Sequence, residues 1–223
     1  MTQQLNYSIS YILGAIIGDG YLYHHPDPAR GAYIIRLRVT RKAFADEFQK
    51  QLEKITGKIL RVVPYIAKIK GQSIQAYRVN CWSKYWLMYF QFLSRHLHQF
   101  ITDTRPDILK GFVRGYIDAE GCIAKESRSL GIQIASTNSY HIKCVKKVLT
   151  KLDYNVNGIY QSQTRSGRSL FTIVLKGIYF VRKYAQEIGF ADPTKQIQAY
   201  SRNYKTAWSK DRSLRRFGID STL

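Results

Sequence analysis

Acidic side chains are scarce in this chain: 15 Asp and Glu stand against 35 Lys and Arg in 223 residues, a formal charge of +20. That imbalance argues against cationic partners and favours polyanions, whose association it accelerates. Cysteines number three, Cys81, Cys122 and Cys144. They are odd in number and lack CxxC spacing, which excludes a disulfide framework and a zinc ribbon and leaves buried thiols in a reducing compartment. No apolar run approaches the length of a membrane span, and Met1-Thr-Gln-Gln-Leu-Asn6 has neither a basic n-region nor a long apolar core. With no lipidation signal and no basic amphipathic helix, no membrane partner is expected. The expected location is intracellular, the cytoplasm of a prokaryote or an organelle. There is no GxxxxGK[ST], so ATP-driven chemistry is not indicated. His24-His25 and His96-Leu-His98 have no matching Cys or His pair for zinc.

What is present is a well-supplied core, 45% hydrophobic residues in a length that suits one large domain or two small ones. Periodicity predicts strands over Tyr21–His25 and Tyr33–Thr40, a helix from Lys42 to about Ile55 closed by Gly57, strands over Ile59–Ile69 and Gln75–Trp82, and an aromatic helix from Lys84 to about Leu97. The same order then recurs. Strands are expected over Cys122–Ser127 and Gly131–Ser136, a helix over Tyr140–Leu152, strands over Gly158–Gln163 and Ser169–Leu175, and a helix over Ile178–Ile188. The chain is an internal duplication. Its halves are expected at 1–101 and 107–190, joined by a linker at 102–106 whose Pro106 opens a helix. The segment 191–223 reads as a basic helix and tail carrying Lys195, Arg202, Lys205, Lys210, Arg212, Arg215 and Arg216, either a solvated surface or a DNA clamp.

Each half opens on a similar apolar helix, Ile12-Leu-Gly-Ala-Ile-Ile-Gly-Asp-Gly20 and Val113-Arg-Gly-Tyr-Ile-Asp-Ala-Glu-Gly121, and the closing glycines are 101 residues apart. Gly14 with Gly18, and Gly115 with Ala119, give each helix a strip of small side chains, so two such helices can approach closely. Packed in parallel, they bring Asp19 and Glu120 together at helix C-termini, where the dipole is negative. That arrangement repels itself unless a hard divalent cation is held by the carboxylates and nearby carbonyls. Carboxylate-held metals beside a basic surface are the components of phosphodiester hydrolysis.

Both stretches resemble the LAGLIDADG motif, and the duplicated chain resembles a monomeric, two-motif LAGLIDADG homing endonuclease. The resemblance implies an α+β fold of two pseudo-symmetric αββαββα halves with saddle-shaped antiparallel sheets and paired motif helices. It also implies a metal-dependent double-strand break with short 3′ overhangs at a long asymmetric double-stranded DNA site, made by a monomer. Asp19 and Glu120 fall on the metal-binding acidic position, with Gly18 and Ala119 beside them. Two or three divalent ions are implied, Mg²⁺ with Mn²⁺ as a substitute. Family members place basic or amide residues near the metals; the matches are Arg41, Lys42, Lys84, Asn138 and Lys176, of which a strand-end lysine is otherwise a solvated charge. Departures are Ile17 where the second copy has Asp118, Arg114 at a usually small position, and the longer acid Glu120. Strand alternation nominates Tyr21, Tyr23, His25, Arg36, Arg38, Arg78, Lys125, Gln133, Gln161, Gln163 and Arg165 as facing the major groove. A start at its own methionine, with no splicing residues flanking it, favours an intron-encoded free-standing enzyme over an intein. The alternative is a LAGLIDADG protein that binds without cutting, an RNA maturase acting on its intron RNA or a DNA-binding regulator.

Overall fold

The computed structural model describes residues 5–24, 32–69, 71–126 and 129–200, with the side chains of 69, 125, 126 and 129 outside that description. The chain divides into two compact units, Met1–Ala119 and Glu120–Leu223. Each contains a four-stranded antiparallel sheet.

In the first unit the order is α1 (Tyr7–Gly18), β1 (Gly20–His24), β2 (Tyr33–Val39), α2 (Lys42–Thr56), β3 (Val62–Ile69), β4 (Gln72–Trp82), α3 (Lys84–Arg95), α4 (Leu97–Asp103) and α5 (Pro106–Glu120), whose last residue belongs to the second unit. Local chemistry sets the ends. Asn6 Oδ1 accepts from Ile9 N at 3.0 Å and Ser83 Oγ from Trp86 N at 3.3 Å, each satisfying a first-turn amide. Gly57 ends α2 at φ 66°, a left-handed conformation that glycine adopts without a Cβ clash. The sheet order is β1-β2-β4-β3, and Ile35, Leu37, Val79 and Cys81 form its fully buried side. That side lies under α2 and α3, which contribute Phe44, Phe48, Leu52, Leu87 and Phe90 to the core.

The expected linker at 102–106 is mostly helix. Leu97, Phe100 and Ile101 recur at helical spacing and are buried, so α4 continues to Asp103 and only Thr104 and Arg105 separate it from α5. Gly111, Phe112, Val113, Gly115 and Tyr116 of α5 are buried.

The second unit runs β5 (Gly121–Glu126), β6 (Ser129–Ser136), α6 (Ser139–Lys151), β7 (Tyr160–Gln163), β8 (Ser169–Lys176), α7 (Ile178–Glu187) and α8 (Pro193–Tyr200), with sheet order β5-β6-β8-β7. This is the order of the first sheet, as the duplication predicts. Leu130, Ile132, Ile134, Ile173 and Leu175 are its buried side. Two expectations need correction. Lys195, grouped with a basic surface, is only 3% exposed, because α8 packs against β5 and α7 and takes that side chain inward. Cys81 and Cys144 are buried, but Cys122 is exposed on β5. Arg202, Lys205, Lys210, Arg212, Arg215 and Arg216 lie outside the described residues.

Candidate active site and nucleic-acid interface

Within the first unit, α1 and α5 pack in parallel through their small residues. A Cβ on Gly111 would collide with the carbonyl of Tyr7, and one on Gly115 with that of Tyr11; a Cβ on Gly14 would collide with the carbonyl of Phe112 and stand 2.9 Å from Tyr116 N. The side chain of Ser10 enters the same contact, its Oγ accepting from Phe112 N at 3.1 Å. Apart from Ser10, α1 is apolar on every side from Ile9 to Ile16 and buried throughout, the pattern of a helix enclosed by other elements.

A charged cluster the sequence did not announce closes the side of this seam. Asp118 is 3% exposed. Its Oδ2 accepts from the Tyr11 hydroxyl at 3.0 Å and lies 3.9 Å from Arg114 Nε. Arg114 also reaches Glu47 Oε1 of α2 at 3.6 Å and donates to the Tyr7 hydroxyl at 3.3 Å. Gln51 donates to Glu47 at 2.7 Å and accepts from Ser8 Oγ at 2.7 Å. Burial, then the Asp118 charge, pushes the Tyr11 hydroxyl well above its ordinary range. For Arg114 burial acts downward, but Tyr7, Asp118 and Glu47 outweigh it and hold the guanidinium above its usual value. Arg114, a departure from the motif, and Asp118, at the position where the first copy has Ile17, therefore both serve the joint between helices. The clue in the sequence was their i, i+4 spacing.

Asp19 is the exposed residue that caps the C-terminus of α1, its backbone N–H donating to Ala15 O at 3.1 Å. Glu120 ends α5. Each is followed by the glycine that begins a strand, Gly20 of β1 and Gly121 of β5. Among the described residues no three His, Cys, Asp or Glu side chains cluster as metal ligands.

The remaining sequence-nominated groups occupy equivalent joints. Arg41 is the N-cap of α2 and Lys42 its first residue; Asn138 is the N-cap of α6; Lys84 opens α3 and Lys176 ends β8. Lys42 pairs with Asp46 at 2.8 Å, and Lys84 Nζ lies 5.4 Å from the Tyr33 ring centre. Asn138 Oδ1 accepts from Tyr140 N at 3.0 Å and His141 N at 3.3 Å. Its capping role gives a prediction: Asn138→Ala lowers stability by about 1 kcal/mol, whereas Asn138→Asp keeps the cap and the melting temperature, as urea and thermal unfolding will show.

The open face of the first sheet collects five of the eleven nominated DNA-facing side chains. Tyr21 pairs with Arg36, Arg36 with Asn80, and Arg38 with Arg78 in register, so they share one face with Tyr23. Asn80 Oδ1 accepts from Arg36 Nε at 2.8 Å, and Arg78 lies 5.9 Å from the Tyr65 ring centre. Burial, then the charges of Arg38 and Arg78, lowers the Arg36 pKa from its ordinary value. His25 lies outside the described residues.

The second sheet divides its nominees between faces. Gln133 pairs with Cys122 and Val174, on the open side. Gln161 pairs with Phe171 and Gln163 with Ser169, positions of the opposite parity, in register with buried Ile173 and Leu175. Position 125 pairs with buried Leu130, again the opposite parity, and its side chain is not described. These three positions are therefore not on the Gln133 face. Tyr160 and Thr172, paired with each other, are, together with Val174. Arg165 is exposed in the turn between β7 and β8, beyond either sheet face.

Comparison with known proteins accords with this architecture. Residues 107–189 match the LAGLIDADG-like domain family. A stretch of 166 residues is 27% identical to an uncharacterized protein of Methanocaldococcus jannaschii, covering 72% of this chain and 60% of that one. The chain thus spans three fifths of that relative's length. Over 204 residues it is 24% identical to the homing endonuclease I-ApeI of Aeropyrum pernix, covering 85% of this chain and 84% of the other. Among solved structures, I-DmoI in complex with DNA and Ca superposes with a TM-score of 0.61 at 18% identity, over 89% of this chain and 100% of that one. I-DmoI has also been solved with DNA and Mn. The α+β fold in two repeated halves is the one those structures have.

Proposed function

We propose that this chain, with a LAGLIDADG-like domain over its second half, is a site-specific DNA endonuclease, a monomeric homing enzyme encoded within an intron. It makes a double-strand break with short 3′ overhangs at a long asymmetric site. The observation that carries this is the pair of parallel glycine-packed helices, each ending in a carboxylate and feeding the first strand of a sheet.

The donor chemistry fits a hard divalent cation. Asp19 and Glu120, and the backbone carbonyls of Gly18 and Ala119, are all oxygen donors, the kind that Mg²⁺, Mn²⁺ and Ca²⁺ accept, and these are the residues that would hold such an ion. When bound, such ions lower the pKa of a coordinated water and stabilise the leaving oxygen of an in-line displacement. The protein's own part is positioning and charge. Asp19 and Glu120 hold the site. Arg41, Lys42, Lys84 and Lys176, at the junctions of strand and helix, neutralise phosphates flanking the scissile bonds, and Lys42 exchanges Asp46 for one of them. Arg36, Arg38 and Arg78 present N–H groups to base edges.

Incubation of purified protein with intron-less host DNA and Mg²⁺, followed by mapping of both ends, tests this reading. Two staggered ends within one site and no product in EDTA are expected. An obligate dimer on DNA, or cleavage undiminished by EDTA, overturns it.

A second reading, binding of intron RNA, rests on one feature of α3. Tyr85, Met88 and Phe92 are 50%, 53% and 56% exposed on a helix that also carries Lys84 and Arg95, and exposed aromatics beside cations suit unpaired bases. Competition between duplex DNA and intron RNA for the protein separates the two readings: a maturase binds both at once.

A further inference from the structure

We propose that the two sheets read half-sites of opposite base composition, the first selecting guanine and the second adenine and thymine. This rests on the DNA-cleaving reading and extends it to the chemistry of the target.

On the first sheet, Arg36, Arg38 and Arg78 come from two adjacent strands. The paired positions of that face supply no carboxylate to offset them; Tyr21, Asn80 and Val63 are their direct cross-strand partners, with Tyr23 and Tyr65 on the same face. Asn80 holds Arg36 by its Nε, and the Tyr65 ring lies beneath Arg78. The Arg36 and Arg78 guanidinium groups are thus oriented before any ligand arrives, which reduces the entropy lost on binding. Three crowded cations require acceptors, and guanine, with N7 and O6 together in the major groove, is the base that offers two to one guanidinium.

The second sheet is built for different edges. Ala124, Gln133, Tyr160, Thr172, Val174 and Lys176, with Asn157, line a concavity of about 370 Å³ on its open side. The paired positions of this face include no arginine. Gln133 offers a carbonyl and an amide, the match for N6 and N7 of adenine, and the methyl groups of Ala124, Thr172 and Val174 suit the C5-methyl of thymine. Lys176, at the strand end, sits where a phosphate contact is expected rather than a base contact.

The test is selection of binding duplexes by the full chain from a library randomised across the whole site, with Ca²⁺ in place of Mg²⁺. The expected consensus has guanine concentrated in one half and A·T pairs in the other. Arg36→Ala with Arg78→Ala removes the guanine preference from its half alone, a fall of roughly 5- to 100-fold in discrimination at each affected position. Val174→Arg introduces guanine into the other half, a gain that an unfolded variant would not give. Guanine spread evenly over both halves, or a guanine-rich half that survives the arginine changes, overturns the inference and leaves the endonuclease reading standing. A selection that enriches no sequence overturns both.

Discussion

Asp19→Asn and Glu120→Gln each abolish linear product from a supercoiled plasmid bearing the target. On the proposed reading the acids would hold the metal site, and losing one would remove several kcal/mol of transition-state stabilisation, on the order of 10³-fold in rate. Open-circle product accumulates if one strand is still cut, so gel separation of supercoiled, nicked and linear forms reports each strand. Binding in Ca²⁺ is expected to stay within a few-fold, since the proposed reading assigns the DNA contacts to the sheet faces rather than to the acids. A variant that linearises the plasmid at near-parent rate would displace the active site from these residues.

The second large effect is structural. Gly115→Ala destabilises the protein by several kcal/mol, although alanine in a helix normally stabilises by about 0.5–1 kcal/mol over glycine. The sign reverses because the added Cβ would collide with Tyr11 O and lie 2.8 Å from Ala15 N. Those are backbone atoms of the facing helix, with no rotamer to change. The helices must separate, and several kcal/mol is a large part of a total stability of about 5–15 kcal/mol. Gly158→Ala, where a Cβ meets nothing within 4 Å, serves as control and shifts unfolding by less than about 0.5 kcal/mol. Urea unfolding of the three proteins decides; a raised midpoint for Gly115→Ala would show that the seam is looser than its geometry.

Long amphipathic elements and the duplicated order were readable from periodicity, since burial on one side fixes their phase. Arg36, Arg38 and Arg78 were assigned to one face correctly because Ile35, Leu37 and Val79 mark the other. Gln161 and Gln163 carried no such marker. β7 is Tyr160-Gln-Ser-Gln163, exposed at all four positions, so nothing in it distinguishes one parity from the other, and a shift of one residue exchanges the faces. Lys195 was misread for a related reason: charge counts do not reveal which neighbours cover a long aliphatic stem. The acids stood out because they interrupt apolar helices before glycine. Asp118 carried no such mark, and its partners Tyr11 and Arg114, with the Glu47 that Arg114 also reaches, come from three helices, which only the folded chain brings together.

The burial of α1 against α5 also sets a timetable for synthesis. Ile9 to Ile16 leave the ribosome early, but the glycines that receive them, Gly111 and Gly115, follow roughly a hundred residues later, a delay of about 5–20 s at ordinary elongation rates. During that interval α1 has α2, β1 and α3 to pack against, but the face that receives α5 stays uncovered. A chain stalled between Asp103 and Gly111 is therefore expected to leave that one apolar face of α1 open to solvent.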